Sequence, residues 1–157
     1  MEHIERAIVT SQALEQTLEE EVVRARNQRV LIRNFDAQAL LDRAAVREAW
    51  NRRVRSLQQE LGGHLTEVAE RYGLREVTIE SLALVVEDPA RRLADSLAHI
   101  RALAGTLNEL DALNHHLAQR ASAVVRGFLG ALTGGNATYN QRGESRPVTG
   151  STYSGTA

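Results

Sequence analysis

Residues 88–133 read DPARRLADSLAHIRALAGTLNELDALNHHLAQRASAVVRGFLGALT. Leu93, Ser96, Ile100, Leu103, Leu107, Leu110, Asn114, Leu117, Ala121, Val124, Phe128 and Ala131 follow one another in alternating steps of three and four. That spacing keeps all of them on one helical face and sustains a coiled-coil seam over more than five heptads. Asp88-Pro89 supplies a start signal, with Asp as N-cap and Pro at the first helical position. Gly134-Gly135-Asn136 supplies the stop. A helix continuous from Pro89 to Thr133 would be roughly 68 Å long, more than a compact globular helix needs.

Working back from this helix, two more periodic runs come into view. Ile4, Ile8, Ser11, Leu14, Leu18, Val22, Ala25 and Ile32 form the first stripe, opposite solvated groups such as Glu5, Glu19, Glu20 and Arg24. Asn34-Phe35-Asp36 breaks the pattern, and Asp36 can accept hydrogen bonds from the free N–H groups of a following helix. The second stripe reads Val46, Trp50, Val54, Leu57, Leu61, Leu65, Val68 and Tyr72, with Gly73 placed as a C-terminal cap. Gly62 and Gly63 lie off this stripe and weaken its helix by roughly 1 kcal/mol each relative to Ala. A short turn between two long helices makes them antiparallel. Thr78 then caps a short apolar piece, Ile79 to Val86.

The expected fold is therefore all-α: an antiparallel long-helix hairpin plus a long C-terminal helix, a three-helix coiled-coil-like bundle. Beyond Thr133 the chain is Gly, Ser, Thr, Asn and Tyr with hardly an aliphatic residue. Such a composition cannot bury enough apolar area to offset its ordering entropy. The domain reading is a helical domain over 1–133 and a flexible, disordered polar tail over 134–157.

Composition narrows the chemistry. The chain has 157 residues, 43% of them hydrophobic, only 4% aromatic and two of them proline, which favours helix over sheet. There is no Cys, which removes disulfides, thiolate zinc sites and cysteine nucleophiles. All nineteen basic residues are Arg, so Schiff-base lysines, Ser-Lys dyads and the phosphate-gripping lysine of a P-loop are absent too. The N-terminus, Met1-Glu2-His3-Ile4-Glu5, does not resemble a signal peptide. The most apolar stretch, Leu117 to Leu132, is broken by Gln119, Arg120, Ser122 and Arg126, so no membrane span is expected. The expectation is a soluble, cytoplasmic protein.

Charge is uneven: residues 1–21 carry −5, 22–59 carry +6, 60–111 carry −5 and 112–157 carry +3. Pairing of the basic segment with acidic neighbours on adjacent helices explains this without a ligand. A nucleic-acid role for Arg24, Arg26, Arg29, Arg33, Arg43, Arg47, Arg52, Arg53 and Arg55 would need an overall basic domain and a recognisable reading element. The net charge is −1 and no such element is present, so no nucleic-acid partner is expected.

The acid–histidine pairs Glu60/His64, Asp95/His99 and Asp111/His115 sit four residues apart, as ordinary helix-stabilising pairs do. No Glu-x-x-His motif of the di-iron bundles occurs, and no metal or other cofactor is expected. Ser11, Ser56, Ser81, Ser96 and Ser122 lie scattered on helices, with no strained nucleophile elbow. The chain does not read as an enzyme.

The end of the third helix reads as a binding surface. Asn114 occupies the seam, where a polar group fixes register or partner choice at some cost in stability. Leu117, Ala121, Val124, Phe128 and Leu132 continue the stripe, widened by Leu113, Val125 and Leu129. Such a face either packs on the first two helices or receives a partner's amphipathic helix.

The segment Leu110, Leu113, Asn114, Leu117, followed by the stripe and by Ala137-Thr138-Tyr139-Asn140-Gln141-Arg142-Gly143, resembles the bacterial flagellar export chaperones of the FlgN type. The likeness spans most of the chain in helix layout, and its specific part covers residues 107–143. These chaperones end in an Asn-containing helix followed by a Tyr-x-x-x-Gly tail, which Tyr139 to Gly143 match. Family members often carry a second Asn where this chain has Asp111.

The resemblance implies a cytoplasmic chaperone that binds the hook–filament junction proteins (hook-associated proteins) and prevents their premature assembly. It would then deliver them to the export gate of the flagellar type III secretion system. Asn114, Leu117, Ala121, Val124, Val125, Phe128 and Leu132 would bind the client, and Tyr139 would dock on the cytoplasmic domain of the gate. The competing expectation is a helical coiled-coil scaffold or adaptor with no export role.

Overall fold

A computed structural model describes residues 2–85 and 88–133, and the chain is helical throughout them apart from short connections. Its elements are α1 (Glu2–Arg33), α2 (Ala37–Tyr72), α3 (Ile79–Ala83) and α4 (Asp88–Thr133). The expected polar tail over 134–157, Tyr139 with it, lies outside the described residues. Two compact units divide the chain, Met1–Ala118 and a second that begins at Gln119.

Both long connections from helix to loop close in the same way. At the end of α1, Asp36 N donates to Leu31 O at 3.1 Å and Phe35 N to Ile32 O at 3.2 Å. At the end of α2, Leu74 N donates to Ala69 O at 2.9 Å and Gly73 N to Glu70 O at 3.4 Å. This is the Schellman arrangement, which satisfies the last carbonyls by turning one residue left-handed. Gly73 takes that conformation with φ 62° at no steric penalty, whereas Phe35 takes it with φ 54° against the clash of its Cβ. The following residue, Asp36, accepts from Ala39 N at 3.0 Å and so caps α2. Two helix ends are thus satisfied within three residues of loop.

The first unit is built on the three stripes. Every position of the first, from Ile4 to Ile32, is buried. Paired residues on α1 and α2 run in opposite order: His3 meets Glu67 at 2.8 Å, Thr10 donates to Glu60 at 3.1 Å, and Trp50 Nε1 donates to Thr17 O at 2.9 Å. Those on α1 and α4 run in the same order. Arg92 meets Glu5 at 3.3 Å, Ser96 donates to Ser11 at 2.7 Å, and Asn114 donates to Ala25 O at 2.8 Å.

Two sequence expectations are corrected. The short apolar piece over 79–86 is helical over Ile79–Ala83 and not at Leu84 or Val85, Leu84 is largely exposed, and Val86 lies outside the described residues. A capping box of Thr78 and Ser81 starts that helix, and Leu82 is fully buried in the same core as Leu93 and Ala90. Val46, placed on the second stripe, is 45% exposed. Followed back from Leu57 in steps of three and four, the inward line of α2 runs through Val54, Trp50, Arg47 and Arg43. Two arginines therefore occupy the buried side at this level, and Val46 lies at its margin, 45% exposed.

Candidate functional site

The seam of α4 changes character along its length while its spacing stays constant. Leu93, Leu107, Leu110 and Asn114 are buried, and Ile100, Leu103, Leu117 and Ala121 are half-buried. Beyond these, Val124 is 63% exposed, Phe128 64% and Leu132 66%, with Val125 and Leu129 exposed beside them. From the Asn114 contact at Ala25, α1 has eight residues left, to Arg33, whereas α4 has nineteen, to Thr133. The residues proposed from sequence to bind a client fall into two sets. Val124, Val125, Phe128 and Leu132 form an apolar face in the second unit, and Leu117 and Ala121 lead into it.

Asn114 belongs elsewhere. Its side chain is buried inside the first unit, and its Nδ2 donates to the backbone carbonyl of Ala25. A mid-helix carbonyl still has a second lone pair after its own helical bond, which is what Asn114 uses. Ala25 has no side chain beyond Cβ and is fully buried, so an amide can approach the α1 backbone there. The contact fixes which turn of α4 lies against which turn of α1.

Next to this contact sits a buried ion network that the sequence reading did not single out. The Glu21 side chain is 0% exposed and pairs with Arg43 and, at 2.6 Å, with Arg47. Arg47 also reaches Asp111 at 2.6 Å and lies over the Trp50 ring, 4.4 Å from its centroid. Glu21 stands three residues after Leu18 and four before Ala25, so its place on the buried line was readable from spacing. What hid it was the habit of reading only apolar residues into a stripe. The network ties α1, α2 and α4 together through charge and accounts for part of the segmental imbalance. Arg24 and Arg52 are also held, by Glu20 at 2.9 Å and Glu48 at 3.5 Å. Arg26, Arg29, Arg33, Arg53 and Arg55 make no ion pair among the described residues.

The histidines meet carboxylates on other helices as well as their own. Glu67 lies between His3 at 2.8 Å and His64 at 3.7 Å. The His3 hydrogen bond is the main reason its carboxyl is held below the usual carboxylate range, with both imidazoles adding charge attraction. His99 meets Glu15 at 3.3 Å and Glu19 at 3.9 Å rather than its helix neighbour Asp95. Among the described residues no group of three or more His, Asp or Glu side chains is arranged to hold a metal ion. No helix among them is long and apolar enough to cross a membrane.

What remains as a candidate site is therefore a surface, the exposed apolar face of α4 after Ala121. Comparisons with protein-family models, curated proteins and solved structures gave no match.

Proposed function

We propose that this chain is a cytoplasmic flagellar type III export chaperone of the FlgN type. In this reading its long-helix hairpin and long C-terminal helix form a bundle that presents one client-binding face. Hook–filament junction proteins bind there, are kept from premature assembly, and are delivered to the export gate, on whose cytoplasmic domain Tyr139 docks. The observation that carries the reading is the unbroken seam of α4 whose burial ends while its apolar spacing does not. Val124, Val125, Phe128 and Leu132 are open to solvent on a helix already folded to receive a partner.

The physical mechanism is helix-in-groove recognition. Burying a Val, Leu or Phe side chain completely is worth about 1.5–3 kcal/mol, and these four begin partly covered. The client's segment gives up its conformational freedom on folding against them, at about 2–5 kcal/mol. The surplus is moderate, which suits a cargo that must be released at the gate.

Titration calorimetry with a purified junction protein tests this. The full-length chain should bind it, Phe128→Asp should abolish binding, and Tyr139→Ala should leave client binding intact while weakening docking on the gate domain. A stable homo-oligomer closing through the α4 seam, with no affinity for either junction protein, would replace this reading with a coiled-coil scaffold.

A further inference from the structure

Where α1 runs beside α4, the charge of their shared edge changes along its length. Toward the start of α1 its carboxylates meet cations of α4, Glu5 with Arg92 at 3.3 Å, and Glu15 and Glu19 with His99 at 3.3 and 3.9 Å. Arg26 and Arg33 follow Glu19 at intervals of seven residues, nearly two full turns, so they stay on that side. Val23 and Val30 fill the same line, 55% and 54% exposed, and Arg29 is half-buried beside it. On α4, intervals of seven from His99 lead to Thr106 and Leu113, the latter 42% exposed. None of Arg26, Arg29 and Arg33 makes an ion pair or side-chain hydrogen bond among the described residues. The sequence has no Asp or Glu over residues 22–35, and none on α4 after Asp111, which Arg47 holds. Glu109, one turn before Leu113, meets none of the three arginines. Other arginines without an ion pair lack this arrangement: Arg53 and Arg55 are two residues apart and face different ways, and Arg91 has Asp88 and Asp95 within about a turn.

We infer that this line of α1, with Leu113, docks an acidic amphipathic helix of a partner protein, whose carboxylates meet Arg26 and Arg33 while its apolar side chains cover Val23 and Val30. The surface uses no residue after Ala118 and is separate from the face of α4 proposed for the client. Charges flanking an apolar line select partner helices in coiled coils, and a seven-residue interval is one that a second helix matches. Arg26 and Arg33 stand about 10 Å apart along the axis, so three turns of helix suffice. A flat anionic membrane lying along α1 would also meet exposed Glu19 on the same line, about 10 Å from Arg26. A single nucleic-acid strand stacks its bases on aromatic rings, and this line offers two valines instead. A second copy of the chain brings carboxylates that are already engaged, Glu2 by Arg6, Glu5 by Arg92, Glu15 by His99 and Glu20 by Arg24.

The test uses the full-length protein and two labelled helical peptides with the same leucine stripe, one carrying Glu at seven-residue intervals beside it and one carrying Gln there. By fluorescence anisotropy the Glu peptide should bind about tenfold more tightly at low salt, and the margin should collapse in about 0.5 M NaCl. The double variant Arg26→Gln, Arg33→Gln should lose the margin while keeping the parent's helicity by circular dichroism. The control Arg53→Gln, Arg55→Gln should keep it. Equal affinity for the two peptides, binding of neither, or equal loss in both double variants would overturn the inference. Phosphatidylglycerol vesicles and a single-stranded oligonucleotide form two further arms. Binding to either that depends on Arg26 and Arg33, without preference for the Glu peptide, would put a membrane or a nucleic acid in the partner's place. Phe128→Asp should retain the Glu preference. Its loss there would move the peptide to the face after Ala121 and sink this inference alone, whereas failure of a junction protein to bind the parent sinks the chaperone reading alone.

Discussion

The side-chain amide of Asn114 donates across 2.8 Å to the carbonyl of Ala25, joining α4 to α1 at the level where the buried part of the seam is about to end. Its own Oδ1 is buried and has no partner among the described residues. A buried polar atom left unmatched is expensive, so this residue holds register at the expense of stability. Asn114→Leu should leave stability unchanged or raise it by up to about 1 kcal/mol, since both polar demands vanish together and the volume is kept. Asn114→Ala should lower it by about 1–3 kcal/mol, because a cavity replaces the amide. Urea unfolding checks both. A loss of more than about 2 kcal/mol in Asn114→Leu would make the hydrogen bond itself the stabilising element.

Glu21 and Arg43 make the opposite case. With Glu21 fully buried and its partner's side chain 10% exposed, removing the carboxylate strands a guanidinium with little water to turn to. Breaking such a pair typically costs about 3–5 kcal/mol, so Glu21→Gln should destabilise the protein by that order. Arg52→Gln, at an exposed partner of Glu48, should change stability by less than about 0.5 kcal/mol. Comparing the two variants by denaturant midpoint separates a buried network from surface pairing.

Spacing made the fold legible where burial and apolarity coincide. Ile4 to Ile32 and Leu93 to Leu110 are buried or half-buried as their period requires. It misled where the inward line is charged. Val46 was read inward because it is apolar, but the line through Leu57, Val54 and Trp50 reaches Arg47 and Arg43, whose charge Glu21 balances. Periodicity fixes which positions face inward, and chemistry alone cannot supply that. The same limit applies to the α4 seam: its spacing is identical before and after Ala121, so the stripe is legible in the spacing but the point at which its cover ends is not.

Phe35 holds a left-handed backbone position that Gly73 occupies at the matching turn. A non-glycine residue there carries a strain of about 1–2 kcal/mol, partly offset by the greater unfolded-state freedom of glycine. Phe35 is 53% exposed, so little packing is lost on removing its ring. Phe35→Gly should therefore raise stability by about 0.5–1 kcal/mol, read as an upward shift in melting temperature. A fall would mean that the ring contributes more packing than its exposure suggests.

Glu67 links the ends of α1 and α2 through His3, and its carboxyl is held below its ordinary value of 4.5. A carboxylate with a depressed folded-state pKa stabilises the fold above the unfolded value, and that contribution disappears as pH falls through the folded one. Stability should therefore decline below about pH 4.5 more steeply in the parent than in Glu67→Gln. Urea midpoints taken across pH 6 to pH 3 provide the comparison. Parallel curves would show that the His3 contact does not persist in solution.

Phe128 and Leu110 share the seam of α4 and differ only in cover, the first 64% exposed and the second 8%. If Phe128 belongs to a partner's site rather than to the core, a charge there meets water and the fold is indifferent to it. Phe128→Asp should keep the parent's helicity and unfold within about 0.5 kcal/mol of it, as surface substitutions do. Leu110→Asp should lose cooperative unfolding, because an unpaired carboxylate enters the contact between helices. Circular dichroism melts of the two variants decide the matter. Equal damage from both would place Phe128 in the core and remove the client face, whereas an intact Phe128→Asp fold makes any lost partner binding attributable to that face alone.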